Sequence, residues 1–207
     1  SFTATFALGA LDALMPGSDG APVELRATIN GQPFGLLAER ISRSVRFPER
    51  LVKVTGRGLA AVLDAPYAPV QTFSATQPRT AHQLMLDVLT LNGVSMGWQV
   101  DWQLTDWHVP AGAFMHQGTW ASALNHIASA AGGYIQPHGT EARLHVLPAW
   151  PRPWWRWQDM TPDIELPQGM AEVEDTEWVQ EPAYNRIFIS GEAGGILGDY
   201  NRAGTAG

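Results

Sequence analysis

A strict alternation of apolar and polar side chains near the N-terminus is the feature that most constrains the fold of this chain. Residues 23–29 read Val-Glu-Leu-Arg-Ala-Thr-Ile, and a period of two predicts a strand with one buried face. The Asn30-Gly31 pair that follows favours the left-handed conformations of a two-residue hairpin turn. The alternation resumes in residues 41–55, around Pro48-Glu49. We therefore predict a barrel-like, antiparallel β domain in residues 1–75.

Two helices are predicted in the middle of the chain by their capping residues. Thr80 and Gln83 form a capping box before an apolar face, and Asn92-Gly93 is expected to stop that helix. Thr119 is expected to cap a second helix that ends at Gly132-Gly133. Earlier in the chain, residues 59–63 are predicted to form a short helical turn.

Residues 134–147 are predicted to form a β-hairpin around His138-Gly139-Thr140, which completes an α/β module over residues 76–150. Residues 148–157 hold three prolines and four tryptophans, a composition too stiff for a helix. We expect an extended connector there, with Trp154 at an interface. Residues 172–179 and 186–190 are strand candidates.

The predicted fold class is α+β and β-dominated, with barrel-like antiparallel β domains and an α/β module. Gly 21 and Pro 15 among 207 residues, with only 16% charged residues, are typical of short elements joined by many turns. The third predicted domain, residues 151–207, would be the Trp/Pro connector and the start of a second β module. Because that module stops short, we expect the chain to be truncated.

The overall charge and composition exclude several classes of partner. A formal net charge of -7 gives no basis for a general attraction to nucleic acid phosphates or anionic lipid. No apolar stretch of about 18 residues occurs, so we expect no membrane-spanning helix. With Cys 0, the chain has no disulfide and no Cys-based zinc site.

No catalytic, cofactor-binding or metal-binding residue emerges from the motifs. The six histidines, at 82, 108, 116, 126, 138 and 145, do not have the spacing of a metal site. Gly56-Arg57-Gly58 lies outside any phosphate-binding motif and is expected to form a tight turn. The acids Asp101 and Asp106, and the dense acidic group in residues 159–181, have no feature that singles out a general acid. We therefore predict no catalytic residue, no cofactor and no metal.

The nine tryptophans are the most unusual part of the composition. Trp98, Trp102 and Trp107 fall in one short segment, and Trp98, Val100, Trp102 and Leu104 share one face if that segment is a strand. Two interpretations stay open. The rings fill a core, or several of them cover a subunit interface, where Trp and Arg are enriched.

Three segments, taken in order, resemble the baseplate hub or tail-hub proteins of bacteriophages and their relatives at the base of the type VI secretion spike. The first is residues 54–64, VTGRGLAAVLD, similar to a strand, Gly-Arg turn and Leu-Asp helix of such hubs. The second is Val109-Pro110-Ala111-Gly112 followed by residues 119–135, similar to the hub helix that leads into a strand pair. The third is residues 184–192, YNRIFISGE, similar to the strand that re-enters a barrel.

The resemblance implies a structural protein of a phage or prophage tail, not an enzyme. It would act in virion assembly as a baseplate or tail-tip hub, joining the tail tube to the spike or receptor-binding apparatus. Its partners would be itself, as a homotrimer in the full-length form, and the tube and spike proteins, without membrane or sequence-specific nucleic acid. It would be located in the virion tail and assembled in the bacterial host cytoplasm. The alternatives are a tail-associated cell-wall or polysaccharide hydrolase and a carbohydrate-binding module.

Overall fold

The computed structural model describes residues 1–18, 20–152, 154–162, 164–170, 173, 175–190 and 197–204. The chain divides into two compact units, Ser1–Pro151 and Arg152–Gly207. Each unit is described by itself below.

The first unit begins with a four-stranded antiparallel sheet that curls into a half-barrel. Its strands are β1 (Phe2–Ala7), β2 (Val23–Ile29), β3 (Gln32–Arg46) and β4 (Glu49–Gly58). They lie in the order β1-β4-β3-β2. A 3-10 turn (Leu8–Ala10) and the short helix α1 (Leu11–Leu14) follow β1. The alternation in residues 23–29 thus predicted β2 correctly.

The turn between β2 and β3 has the conformation that its sequence predicted. Asn30 and Gly31 have φ values of 52° and 81°, and Ile29 lies opposite Gln32. Both central residues of a type I′ turn need positive φ, which Asn and Gly adopt at low cost. Beyond this turn, β3 continues without a break to Arg46, so the two predicted strands after Gln32 are one long strand.

The half-barrel has its own apolar core. Val52 and Val54 of β4 are fully buried, and Phe2 and Phe6 of β1 pack beside them with Leu14 of α1. Gly56 of β4 crosses β3 closely, because a Cβ atom there would lie 1.8 Å from the carbonyl oxygen of Leu37. A larger residue at position 56 would therefore push the two strands apart.

The rest of the first unit alternates short strands with two helices. A 3-10 turn (Leu59–Leu63) leads into it, as predicted. The further elements are β5 (Gln71–Ser74), β6 (Arg79–Thr80), α2 (Ala81–Val88), β7 (Thr90–Leu91), β8 (Val94–Ser95), β9 (Gln99–Trp102), β10 (His108–Val109), β11 (Met115–Gly118), α3 (Trp120–Ala130), β12 (Gly133–Pro137) and β13 (Arg143–Pro148).

Both predicted helix caps are present. The Thr80 side chain accepts from Gln83 N while the Gln83 side chain accepts from Thr80 N, which is the complete capping box of α2. The Thr119 hydroxyl accepts from Ser122 N at the start of α3. Gly132 has a φ of 68°, the left-handed conformation expected just after a helix.

A second, larger core lies between the helices and a three-stranded sheet. Leu84 and Met85 of α2, Leu124 and Ile127 of α3, and Val146 of β13 are among its buried residues. The sheet order is β12-β13-β9, with β12 and β13 antiparallel and β13 and β9 parallel. The hairpin over residues 134–147 is therefore confirmed, and the parallel partner of its second strand comes from the Trp-rich segment.

The prediction for Asn92-Gly93 is wrong in one respect. Helix α2 ends at Val88, with Leu89 as its C-cap, before the pair is reached. Asn92 and Gly93, with φ values of 51° and 78°, instead form the turn between β7 and β8. The physical cause is the same as at Asn30-Gly31, since adjacent positive φ values fit a tight hairpin turn as well as a helix end.

The second unit contains a 3-10 helix (Trp154–Asp159), a 3-10 turn (Gln168–Met170) and a hairpin of β14 (Arg186–Ser190) and β15 (Leu197–Asn201). The strand at 186–190 is confirmed. The predicted strand over 172–179 is wrong for its described residues, 173 and 175–179, which form no regular element; Glu172 and Glu174 lie outside the described residues. The predicted connector is in part helical. The side chain of Trp154 is outside the part of the chain that the structure describes, so its predicted interface role stays a prediction.

In the chain as described, strands account for 41% and helices for 20%, so the fold is α+β and β-dominated, as predicted. The division into residues 1–75, 76–150 and 151–207 stays a prediction; Leu63 and Ala68 of the first range belong to the larger core. No described helix combines the length and apolar character that a membrane crossing requires.

Candidate functional site

The histidines that lie far apart in sequence partly come together. The rings of His116 and His126 stack with centroids 5.1 Å apart, and His116 Nε2 lies 2.7 Å from Ser122 Oγ. The strand β11 and the helix α3 bring them together, which their spacing of ten residues did not suggest. Within the described residues, no three side chains of the metal-ligating types form a group.

Two of the acids considered as catalytic candidates have structural partners instead. Asp101 accepts from Gln103 Nε2 at 2.8 Å and lies 2.9 Å from His145 Nδ1. The hydrogen bond with His145 is the main cause of a lowered pKa for the Asp101 carboxyl. A general acid needs a raised pKa, so an environment that lowers the pKa of Asp101 does not suit that role.

Asp106 binds the beginning of α2. Its Oδ1 accepts from His82 N and from Trp107 N, each at 3.0 Å. Desolvation acts to raise the pKa of Asp106, but hydrogen bonds from Thr80, His82 and Trp107 outweigh it, and the net pKa is lowered. The carboxylate thus stabilises the helix N-terminus and the following loop.

Arg57 connects the half-barrel to the larger core. Its guanidinium donates to Glu39 on β3, to Asp64 Oδ2 at 3.1 Å and to the Ala65 carbonyl at 2.6 Å. The Thr119 hydroxyl, which caps α3, donates to the other oxygen of Asp64 at 3.0 Å. Arg57 on β4 therefore contacts Glu39 on β3 directly and the start of α3 through Asp64. The predicted tight turn at Gly56-Arg57-Gly58 is instead the end of β4.

The tryptophans divide according to their position in the chain. Trp120 is buried in the larger core, and Trp98, Trp102 and Trp107 pack against it. For these four, core packing is the correct interpretation. The tryptophans near and beyond the end of the first unit differ. Those with large exposed fractions are Trp150, Trp155, Trp157 and Trp178.

The second unit exposes most of its large apolar side chains. None of its described residues is buried. The exposed large apolar residues of this unit are Trp155, Trp157, Ile164, Leu166, Met170, Val173, Trp178, Val179, Tyr184, Ile187, Phe188, Ile189 and Tyr200. A concentration of large exposed apolar side chains in one segment is typical of a surface that another molecule covers. We call this set the apolar surface of the second unit.

The β14–β15 hairpin is the part of that surface with regular strand pairing. Arg186 donates two hydrogen bonds, of 2.8 and 2.5 Å, to Asp199. Its guanidinium carbon lies 4.5 Å from the centre of the Phe188 ring. Ile187 and Ile189 project from one face and Phe188 from the other, all exposed. Within the described chain each strand has one partner, so each has one free edge.

Sequence reasoning found the strand at 186–190 but missed this surface as a candidate site. Its signal was present in residues 164–179, where apolar side chains recur without the period of a helix or a strand. Apolar residues that no regular element can gather on one face must be covered by something else or stay exposed.

Comparisons with known proteins give a partial similarity to solved structures. No family model matches the chain, and no curated protein matches it. Among solved structures, the chain is similar to the tail protein from Neisseria meningitidis MC58, with 18% identity and a TM-score of 0.41. The match covers 61% of this chain and 37% of that one, so it spans well under half of the neighbour. The neighbour belongs to the broad class that the sequence motifs resemble, but a likeness at this level carries no argument about function.

Proposed function

We propose that this chain is a structural protein of a phage or prophage tail, acting as a baseplate or tail-tip hub between the tail tube and the spike or receptor-binding apparatus. It self-associates, as a homotrimer in the full-length form, in the virion tail after assembly in the host cytoplasm. The apolar surface of the second unit is the observation that carries this proposal. Assembly, without chemistry, is the function that such a surface serves best.

The first support is energetic. Burying apolar surface gives about 25 cal/mol per Å², and an isolated two-stranded hairpin is at best marginally stable in water. The second unit buries none of its described side chains. Its hairpin and its exposed aromatic residues therefore gain most of their stability when another molecule covers them.

The second support is the open edges of the sheets. β1 and β2 form the two edges of the half-barrel, and the β14–β15 hairpin has further free edges within the described chain. An exposed edge offers unpaired N–H and C=O groups to a strand of another chain. Repeated pairing of this kind, related by a rotation that closes, generates a ring.

The third support is where the three hub-like segments fall in the fold. Residues 54–64 contain the end of β4, the Arg57 connection and the 3-10 turn. Residues 119–135 contain α3 and the start of β12, and residues 184–192 contain β14. The second and third segments thus form the helix, the following strand and the later strand that the resemblance implied, whereas the Gly-Arg turn implied for the first is the end of β4.

The test is the mass of the full-length protein by light scattering after size exclusion, over a hundredfold range of concentration. We expect a trimeric or hexameric mass and rings in negative-stain images. A strict monomer at every concentration would overturn the assembly function. Trp178→Ala, at a side chain that is 93% exposed, should shift the equilibrium towards the monomer, while Trp102→Ala tests whether core damage alone has that effect.

The exposed tryptophans favour one second candidate, a carbohydrate-binding module. Trp155 and Trp178 are 61% and 93% exposed, and an exposed Trp ring is a side chain on which a sugar can stack. This candidate predicts that oligosaccharides quench or shift tryptophan fluorescence of the assembled protein. If fluorescence is unchanged at millimolar oligosaccharide while the protein is oligomeric, the carbohydrate-binding hypothesis is excluded and the assembly hypothesis stands.

A further inference from the structure

The β3–β4 hairpin carries an unusual concentration of positive charge. β2 pairs with β3 only as far as Ala38, so the outer edge of β3 beyond that point has no strand beside it. Residues 40–53 contain one acidic residue, Glu49, and five of the chain's 13 basic residues. These five are Arg40, Arg43, Arg46, Arg50 and Lys53. We call residues 40–53 the basic arm.

The cations of the basic arm are exposed and have no anionic partner in the described chain. Within 4 Å, none of the five forms an ion pair with a described residue. By contrast, Arg57, Arg79, Arg143 and Arg186 are each paired with a carboxylate. The charge of the basic arm is thus available to another molecule.

The register of the hairpin distributes these cations over both of its faces. Lys53 lies opposite Ser42, which places it on the face of Arg40 and Arg46, whereas Arg43 and Arg50 lie on the other face. The tip adds an apolar contact. The side chain of Phe47 is fully exposed at the turn, and Val45 and Leu51 are exposed beside it.

The same chain carries a segment of opposite character. Residues 159–181 contain eight of the chain's 20 acidic residues and no Lys, Arg or His. The described acidic residues there, such as Asp175, Glu177 and Glu181, are exposed. Exposed apolar side chains lie between them, including Trp178 and Val179. We call residues 159–181 the acidic segment.

We propose that the basic arm of one copy docks on the acidic segment of a second copy. This inference rests on the proposed self-association and names the two surfaces that produce it. Opposite charges would steer the two surfaces together and set their register, while Phe47 and Trp178 supply apolar contact area. Repeated head-to-tail from copy to copy, this contact forms a ring when the rotation between copies closes.

A second copy fits better than a nucleic acid. The basic arm combines five cations with an exposed apolar tip, and the acidic segment combines anions with exposed apolar side chains. A phosphate backbone would match the charge and leave the apolar tip uncovered. Cations at a strand edge can also serve only to prevent aggregation, and this possibility is an outcome of the test.

The experiment reverses the charge of each surface separately in the full-length protein. The arm variant carries Arg43→Glu, Arg46→Glu and Arg50→Glu; the segment variant carries Asp175→Arg, Glu177→Arg and Glu181→Arg. We expect each variant to raise the dissociation constant of self-association about tenfold or more. Arg26→Glu, at an exposed position of β2, and the single variant Arg46→Glu form a matched pair, of which only the latter should weaken assembly.

Two further measurements identify the partner. A chain that carries both sets of reversals should regain self-association, because its charges are complementary again. A mixture of the arm variant and the segment variant, with different labels, should associate more tightly than either variant does alone. Raising the salt concentration to about 1 M should weaken wild-type assembly, since the Debye length falls to about 3 Å. The melting temperature of each variant should stay that of the wild type.

Each contrary result has a distinct meaning. If the wild type is oligomeric and neither variant changes its mass, the docking proposal is overturned and self-association stands. A monomeric wild type overturns the proposed function itself. If the doubly reversed chain fails to recover, the basic arm binds something else, and loss of binding to heparin or DNA by the arm variant would identify a polyanion. If the doubly reversed chain recovers but the mixture does not associate, the contact forms within one chain.

Discussion

The two units of this chain use their apolar residues in opposite ways. In residues 1–151, large apolar side chains such as Leu124, Met85 and Val146 are almost completely buried in cores that the unit builds itself. In residues 152–207, no described side chain is buried and aromatic rings lie in solvent. The comparison teaches that the first unit gathers apolar side chains into its own cores, whereas the described residues of the second unit leave theirs exposed.

The difference has a cause in the sequence pattern. α2 and α3 repeat apolar residues with the helical period, so one face of each can be buried against the other and against the sheet. Residues 159–181 combine eight acids with apolar residues at irregular spacing. Collecting the apolar side chains into a core there would also bring like charges together, which opposes folding.

The largest expected effect is a loss of stability of the first unit, caused by a cavity in its larger core. Leu124→Ala on α3 removes a side chain that is 1% exposed, and we expect a loss of about 2–5 kcal/mol in the free energy of unfolding. Urea denaturation followed by circular dichroism measures it. Leu86→Ala, on the exposed side of α2, is the control and should cost much less. Equal losses for the two would mean that α3 is not part of a core.

The next effect concerns the Arg57 connection. Arg57→Met leaves Glu39, a half-buried carboxylate, without its cation, and we expect a loss of about 1–3 kcal/mol. Arg79→Met removes the more exposed pair with Asp87 and should change stability by only about 0.5 kcal/mol. Denaturant midpoints of the two variants provide the comparison. If Arg57→Met is neutral, the sheet and the larger core do not depend on this link.

A smaller loss is expected at the capping box of α2. Thr80→Ala removes the acceptor for Gln83 N, which should cost about 0.5–2 kcal/mol. Thr80→Ser keeps the hydroxyl and should retain most of the stability. Thermal unfolding of the three proteins measures the order. A Thr80→Ser protein as unstable as Thr80→Ala would show that the methyl group, and not the hydrogen bond, stabilises the helix start.

Acid should weaken the first unit partly through Asp64. The hydrogen bond from the Ala65 backbone N–H, helped by Thr119 and Arg57, lowers the pKa of Asp64 below the ordinary value of 3.8 for an aspartate. A carboxyl with a lowered folded-state pKa contributes stability that is present above the unfolded pKa and is lost as pH falls through the folded pKa. Stability of the wild type should therefore fall below about pH 4, and less steeply in Asp64→Asn. Identical slopes in urea titrations between pH 5 and pH 2 would contradict this assignment.

Replacing one tryptophan by alanine in each unit should give the sharpest contrast between the units. The smallest effect on folding is expected for the replacement in the second unit. Trp178→Ala in the second unit should change the free energy of unfolding of the monomer by only about 0.5 kcal/mol. Trp120→Ala in the larger core should lower it by about 3–5 kcal/mol. Denaturant unfolding of the dilute protein measures both. A large loss for Trp178→Ala would mean that the second unit has a core of its own.

Much of the first unit could be predicted because its signals are local. A capping box, an Asn-Gly turn and a strict alternation each act over fewer than about eight residues, and Thr80, Asn30 and residues 23–29 formed the predicted elements. Asn92-Gly93 shows the limit, since the same dipeptide serves helix ends and hairpins. Only the neighbouring strands β7 and β8 decided between them.

The candidate site was less predictable for a physical reason. Exposure depends on which elements pack together, and β15 became visible as a strand only through its pairing with β14. The strand predicted over 172–179 did not form in its described residues, and whether a strand forms depends on a neighbouring strand that satisfies its backbone, which no local pattern specifies. Tryptophan content suggested either cores or interfaces, and the structure buries Trp120 in a core of the first unit and leaves Trp178 exposed in the second.

The sequence by itself determined the β-dominated class, the two capped helices and the hairpin turns, because these follow from backbone conformations that a few adjacent residues impose. The tertiary structure alone decided the connection of Arg57 to Glu39 and Asp64, the stacking of His116 on His126, and the parallel pairing of β9 with β13. It also decided which tryptophans are buried. Contacts between distant residues arise from how whole elements pack, and no local pattern encodes that packing.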